Sequence, residues 1–135
     1  MAHRELTDAD YGTLLEFRTS LRRFLHWSEA QAEAEGMTPA QHQLLLAIRG
    51  SGDPSGPTVG DVAESLLLRH HSVVGLVDRA HGAKLVRRVR DRDDGRIVRL
   101  HLTSRGDRLL ARVSARHLEE LQRIGELIPP AVRYD

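Results

Sequence analysis

The chain has 135 residues, 40% apolar and 29% charged, with eight histidines and no cysteine. This is the size of one ordinary domain; without an apolar run of about 18 residues, a secretory h-region in MAHRELTDAD or a thiol, a cytoplasmic protein with no membrane span, disulfide or cysteine-bound metal is expected. The net charge of +1 conceals a basic segment, since residues 1–68 sum to −5, residues 69–108 to +6 and residues 109–135 to zero, and such a segment suits either a polyanion or plain solvent.

Helix starts are well marked. Thr7-Asp8-Ala9-Asp10 has capping-box spacing, with Leu6 and Tyr11 placed as a hydrophobic staple. The helix it opens carries Leu14, Phe17, Leu21, Phe24 and Leu25 as one stripe and should stop near Gly36. Thr38-Pro39-Ala40-Gln41 is a second start, with proline at the favoured first position, and Leu44, Leu45 and Ile48 turned inward. Gly50, Gly52, Pro54, Gly56 and Pro57 predict an exposed loop over residues 51–57. Thr58-Val59-Gly60-Asp61 opens a helix of about ten residues, with Val62, Ala63, Leu66 and Leu67 as its buried face. Arg69, His70, His71 and Ser72 lead into a fourth helix, with Val73, Leu76, Val77 and Ala80 inside. Residues 85–91 and 97–102 are β-prone runs around an Asp94-Gly95 turn, which predicts a hairpin. Thr103 then caps a long helix with Leu109, Leu110, Val113, Leu118, Leu121, Ile124 and Ile128 on one side, ended by Pro129-Pro130.

The expected fold class is therefore mainly α with a small β-hairpin. Two short helices followed by a charge-tipped hairpin make a winged helix-turn-helix. A helix fits the major groove of duplex DNA, where base pairs display distinct donor and acceptor patterns. Its N-terminus favours phosphate, and an arginine at the hairpin tip suits the narrower, more negative minor groove.

At these residues the chain resembles the MarR family of regulators, from about Leu14 to Ile128. Asp91-Arg92-Asp93-Asp94-Gly95-Arg96, followed by Leu100-His101-Leu102-Thr103-Ser104-Arg105-Gly106, is similar to the family's wing and the Leu-Thr-x-x-Gly after it. Val77-Asp78-Arg79 and Leu85-Val86-Arg87-Arg88 resemble the end of the recognition helix and the first wing strand. Residues 38–46 resemble the helix before the short one. The resemblance implies one domain over residues 1–135, with a winged-helix lobe at 38–102 and dimerisation helices at 7–35 and 103–128. It implies a homodimeric repressor or activator on a palindromic operator, with a small organic effector bound between lobe and dimer helices. It also implies that Asp94 and Arg96 pair in the wing while an arginine reaches the minor groove. Three positions depart from the pattern. Gly75 replaces a polar or basic residue, which either permits close backbone approach or reduces base reading. Lys84 replaces a glycine, so it is left-handed or Gly82 ends the helix earlier. The family's final helix is replaced by Ala131-Val132-Arg133-Tyr134-Asp135.

The expected DNA-binding residues are Arg69, His70, His71, Ser72, Gly75, Arg79, Arg87, Arg88, Arg92, Asp94 and Arg96. His70, His71 and Ser72 are placed for bases or phosphates, or form only a capping turn. Arg79, Arg87, Arg88 and Arg105 suit phosphates, or are solvated. Arg92 and Arg96 are the wing contacts, or an exposed salt bridge with little energetic weight. His26, Trp27 and His42 are the speculative pocket, although a core or dimer contact suits Trp27 better. Leu14, Phe17, Leu21, Leu118, Leu121 and Ile124 serve either a dimer or the chain's own core. His42, His70, His71 and His117 could converge on zinc, but no i, i+4 histidine pair supports this; no metal or cofactor is expected. No phosphate loop, nucleophile elbow or metal-ligand motif points to an enzyme. The competing reading is an interaction protein on the same fold that has lost DNA binding and sequesters a related regulator.

Overall fold

Threonine opens four of the helices in the computed structural model, which describes residues 4–127. The elements are α1 (Asp8–Ala34), α2 (Pro39–Arg49), α3 (Val59–Leu66), α4 (His70–Gly82), β1 (Val86–Arg90), β2 (Val98–Leu102) and α5 (Ser104–Leu127). At Thr7, Thr38 and Thr58 the hydroxyl accepts from the amide three residues on, and the side chain of Asp10, Gln41 or Asp61 accepts from the threonine amide. Each reciprocal pair satisfies donors that a helix start leaves open. Thr103 accepts from the Gly106 amide at 3.0 Å while its hydroxyl donates to the Lys84 carbonyl at 2.6 Å. One side chain thus starts α5 and ties it to the base of the hairpin.

The core lies in the centre of the sequence. Leu44, Leu45 and Ile48 of α2, Val62 and Ala63 of α3, and Val73, Leu76, Val77 and Ala80 of α4 are buried. They pack with Leu85, Val86, Leu100 and Leu102 of the hairpin and Leu109, Leu110 and Val113 of α5. From the 27-residue α1, only Ala32 joins them. β1 and β2 are antiparallel, with Val86 opposite Leu102 and Arg88 opposite Leu100.

Leu14, Phe17, Leu21 and Leu25 of α1 are exposed in the single chain, as are Leu118 and Leu121 of α5. So are Leu6 and Tyr11, placed as a staple. The two long helices are joined near the end of α1, where Glu35 accepts from Arg112 at 3.0 Å and from Arg116, and Arg116 also donates to Gln31. Arg112 foremost, then Arg116, holds the Glu35 carboxyl below the usual range.

Four local expectations are corrected. Helix α3 has eight residues rather than about ten. It ends because Leu67 takes left-handed backbone, φ 56°, which leaves that side chain 92% exposed instead of buried. The loop over 51–57 is not wholly exposed, since Gly56 and Pro57 are buried. The Leu100 amide donates to the Pro57 carbonyl at 2.8 Å, so the loop lies along β2. The hairpin does not close on a tight Asp-Gly turn, because Gly95 lacks the positive φ that such a turn requires. At Lys84 both alternatives hold: α4 ends at Gly82 and Lys84 is left-handed, φ 61°. The final Ile128, Pro129-Pro130 and the five residues after them lie outside the described residues.

Candidate nucleic-acid interface

Helix α4 buries Val73, Leu76, Val77 and Ala80 and leaves His70, His71, Ser72, Asp78 and Arg79 exposed. Arg69, exposed, is its N-cap and makes no side-chain capping bond. Gly75 is half-buried. A Cβ there would lie 3.3 Å from an Arg79 guanidinium nitrogen, so the glycine makes room for Arg79 to fold back along its own helix. Arg88 of β1 is ion-paired with Asp78 of α4, which fastens the strand to the helix. Arg87 and Arg90 of the same strand are exposed, as is Arg105 at the start of α5.

The wing, residues 91–97, is built around two carboxylates. Asp91 Oδ2 accepts from the amides of Asp93 and Asp94 at 3.2 and 3.0 Å, and Asp91 Oδ1 accepts from Arg99 Nε at 3.0 Å. Asp94 accepts from Arg96 Nε and Nη2, both at 3.1 Å, and from the Arg96 amide. The Asp94 amide foremost, then Arg99, holds the Asp91 carboxyl below the usual range; the Arg96 guanidinium does the same for Asp94. Both stay ionised at neutral pH, so the wing keeps its form there. The Arg96 side chain is 91% exposed even while paired, and Arg92 is exposed beside it. The pair therefore orients a cation outward without covering it.

No sequence pattern marked Arg99. It sits in β2 between the aliphatic Val98 and Leu100, and nothing in that strand signals that its partners are Asp91 and the distant residues Asp53 and Gly56.

The speculative pocket residues separate. The His117 ring of α5 lies 4.9 Å from both Trp27 and His42 in tilted contacts, and Phe24 meets Trp27 and His117 at 5.9 Å. His26 is exposed and takes no part in those ring contacts. The His117 Nδ1 lies 2.8 Å from the Val113 carbonyl, which only accepts. In the neutral ring Nδ1 therefore carries the proton, and Nε2 accepts from the Ser28 hydroxyl at 2.6 Å. Burial foremost, then neighbouring His117, pushes the His42 imidazolium pKa down. Phe17, Leu21, Phe24 and Trp27 of α1 and Leu121 and Ile124 of α5 border an open cleft of about 950 Å³. The four-histidine grouping does not form: among the described residues no three metal-ligating side chains come together, and His70 and His71 are exposed on α4. No described helix is long and apolar enough to cross a membrane.

A family model described as MarR family matches residues 35–97. The chain is 33% identical over 86 residues to the uncharacterized HTH-type transcriptional regulator YsmB of Bacillus subtilis (strain 168), a match that covers 64% of this chain and 57% of that protein. The chain thus spans little more than half the length of that relative. Among solved structures it is similar to a MarR family protein from Bacillus stearothermophilus, with TM-score 0.74 and 26% identity over 96% of this chain and 87% of the other. It also shares its fold with S. aureus MepR in complex with DNA, with TM-score 0.72 and 21% identity over 94% and 88% of the two chains.

Proposed function

Because this chain belongs to the MarR family through its winged-helix segment, residues 35–97, and folds as the family's members do, we propose that it is a transcriptional regulator that binds duplex DNA sequence-specifically as a homodimer. The observation that carries this reading is the wing: Asp94 accepts from Arg96 and leaves it almost fully exposed beside Arg92. An ion pair this exposed contributes little to folding, whereas a preoriented cation at a hairpin tip suits the negative potential of a minor groove. His70, His71 and Ser72 open α4 toward base edges or phosphates, and Arg69, Arg79, Arg87 and Arg105 supply phosphate contacts. Gly75 lets Arg79 lie close to the helix, and Arg88 acts through Asp78.

The dimer is formed by residues 7–35 and 103–128, with 38–102 as the DNA-binding lobe. Its support is the run of exposed apolar side chains on α1 and α5, since contiguous exposed apolar surface marks an interaction site. On a palindromic operator the two lobes would occupy successive major-groove faces. The protein acts as a repressor in the cytoplasm. A small organic effector binds between the lobe and the dimer helices, where Trp27 and His42 both meet His117, with an affinity that differs between DNA-competent and incompetent states.

A gel-shift series with DNA flanking the protein's own gene, run over increasing salt against a mixed-sequence duplex of equal length, tests the reading. A preference of roughly 10³-fold or more supports it. Equal binding to both duplexes would reduce the site to a basic surface. No binding at low salt would favour an interaction protein that sequesters a related regulator.

A further inference from the structure

The wing is not joined to the lobe through its two strands alone. Arg99, on β2, projects its guanidinium between the wing root and the loop joining α2 to α3. Its Nε donates to Asp91 Oδ1 at 3.0 Å, while its Nη1 donates to the Gly56 carbonyl at 3.2 Å and lies 3.5 Å from Asp53 Oδ2. The side chain is only 20% exposed and Asp91 only 14%, in contrast to the 91% of Arg96.

The loop is held against the strand at further points. The Leu100 amide donates to the Pro57 carbonyl, and His101 Nε2 lies 2.9 Å from the Ser55 carbonyl. Gly56 has φ +86°, and a Cβ there would come within 2.5 Å of the Leu100 carbonyl oxygen. Only glycine brings the loop this near, and that approach puts the Gly56 carbonyl within reach of Arg99. From Asp91 the connection continues to the tip: the carboxylate that receives Arg99 also receives the Asp93 and Asp94 amides, and Asp94 receives Arg96.

We propose that Arg99 is a positioning residue for the wing. It ties the wing root to the α2–α3 loop and thereby fixes where Arg96 is presented, without contacting DNA itself. A planar guanidinium can serve the carboxylate and the carbonyl from separate nitrogens; the point charge of lysine has no such fork. The inference rests on the reading of the wing as a DNA contact, but its first consequence can be measured without DNA.

The test uses the full chain with Arg99→Gln, Arg99→Lys, Arg96→Ala and the double variant Arg99→Gln/Arg96→Ala. Backbone ¹⁵N relaxation of residues 92–96 in the free protein should fall from rigid order parameters of about 0.85 to below about 0.6 in Arg99→Gln, with Arg99→Lys between them. On the tightest-binding duplex from the gene-flanking DNA, Arg99→Gln should weaken binding about tenfold, a loss equivalent to the ordering entropy of about one residue. The double variant should lose clearly less than the sum of the two single losses, because a wing without Arg96 keeps only Arg92 to position. Unchanged order parameters in Arg99→Gln overturn the proposal, as do fully additive losses in the double variant. If Arg99→Gln loosens the wing while Arg96→Ala leaves affinity unchanged, the DNA reading of the wing fails and positioning by Arg99 stands.

Discussion

Replacing Leu67 by glycine should stabilise the protein. Leu67 ends α3 in left-handed backbone with φ 56°, a conformation that costs an L-residue roughly 1–2 kcal/mol. Its side chain is 92% exposed, so its removal forfeits only about 0.2 kcal/mol of the roughly 2 kcal/mol that full burial of a leucine provides. Glycine returns about 0.5–1 kcal/mol of that gain through the extra freedom of the unfolded chain. The net is a stabilisation of about 0.5 kcal/mol, or a rise in Tm of about one to two degrees. Urea unfolding followed by circular dichroism, at one fixed protein concentration because association contributes to stability, reads this directly. Leu45→Ala, at a fully buried position, is the control and should lose about 2–5 kcal/mol. If Leu67 were a core residue, as helical periodicity alone implies, its removal would also cost more than about 2 kcal/mol. A loss of that size would refute the placement of the α3–α4 turn.

Two further outcomes follow from the buried and the exposed sides of the long helices. Burial lowers the folded-state pKa of His42, so between that value and the unfolded value near 6.5 the unfolded chain binds the additional proton. Stability is then complete above about pH 6.5 and declines as the pH falls, by at most about 1.4 kcal/mol per unit from this group. Unfolding free energies of the wild type and His42→Gln across pH 5–8 should show a shallower slope in the variant, and equal slopes would remove His42 as the source. Leu118→Glu combined with Leu121→Glu places charge at positions 65% and 50% exposed in the single chain. In sedimentation the wild type should run as a dimer and the double variant as a folded monomer; a variant that remains dimeric would move the interface elsewhere.

The parts legible in the sequence are those governed by neighbours a few residues apart. Thr7, Thr38 and Thr58, each with a reciprocal carboxylate or amide three residues on, fixed the starts of three helices. The 3–4 spacing of Val73, Leu76, Val77 and Ala80 marked the buried side of α4. What escaped depends on distant partners. The Asp91 carboxylate gathers amides from the wing and a guanidinium from β2, so the hairpin closes without the positive-φ turn that Asp-Gly suggests. The docking of the α2–α3 loop on β2 relies on Gly56 meeting residues more than forty positions away. Periodicity in α1 showed that one face needs covering, but it could not say whose side chains cover it. The core leaves Leu14, Phe17 and Leu21 unburied within one chain, which favours the dimer alternative.

On the proposed reading, the hairpin tip meets DNA through its exposed arginines. The most direct test is the equilibrium affinity of Arg92→Ala/Arg96→Ala for the tightest-binding gene-flanking duplex, measured beside the wild type over a salt series. Binding should be weaker at every salt concentration, with a log–log slope flatter by about one unit for each phosphate that the variant no longer neutralises. Equal affinity and equal slope for the two proteins would contradict this reading.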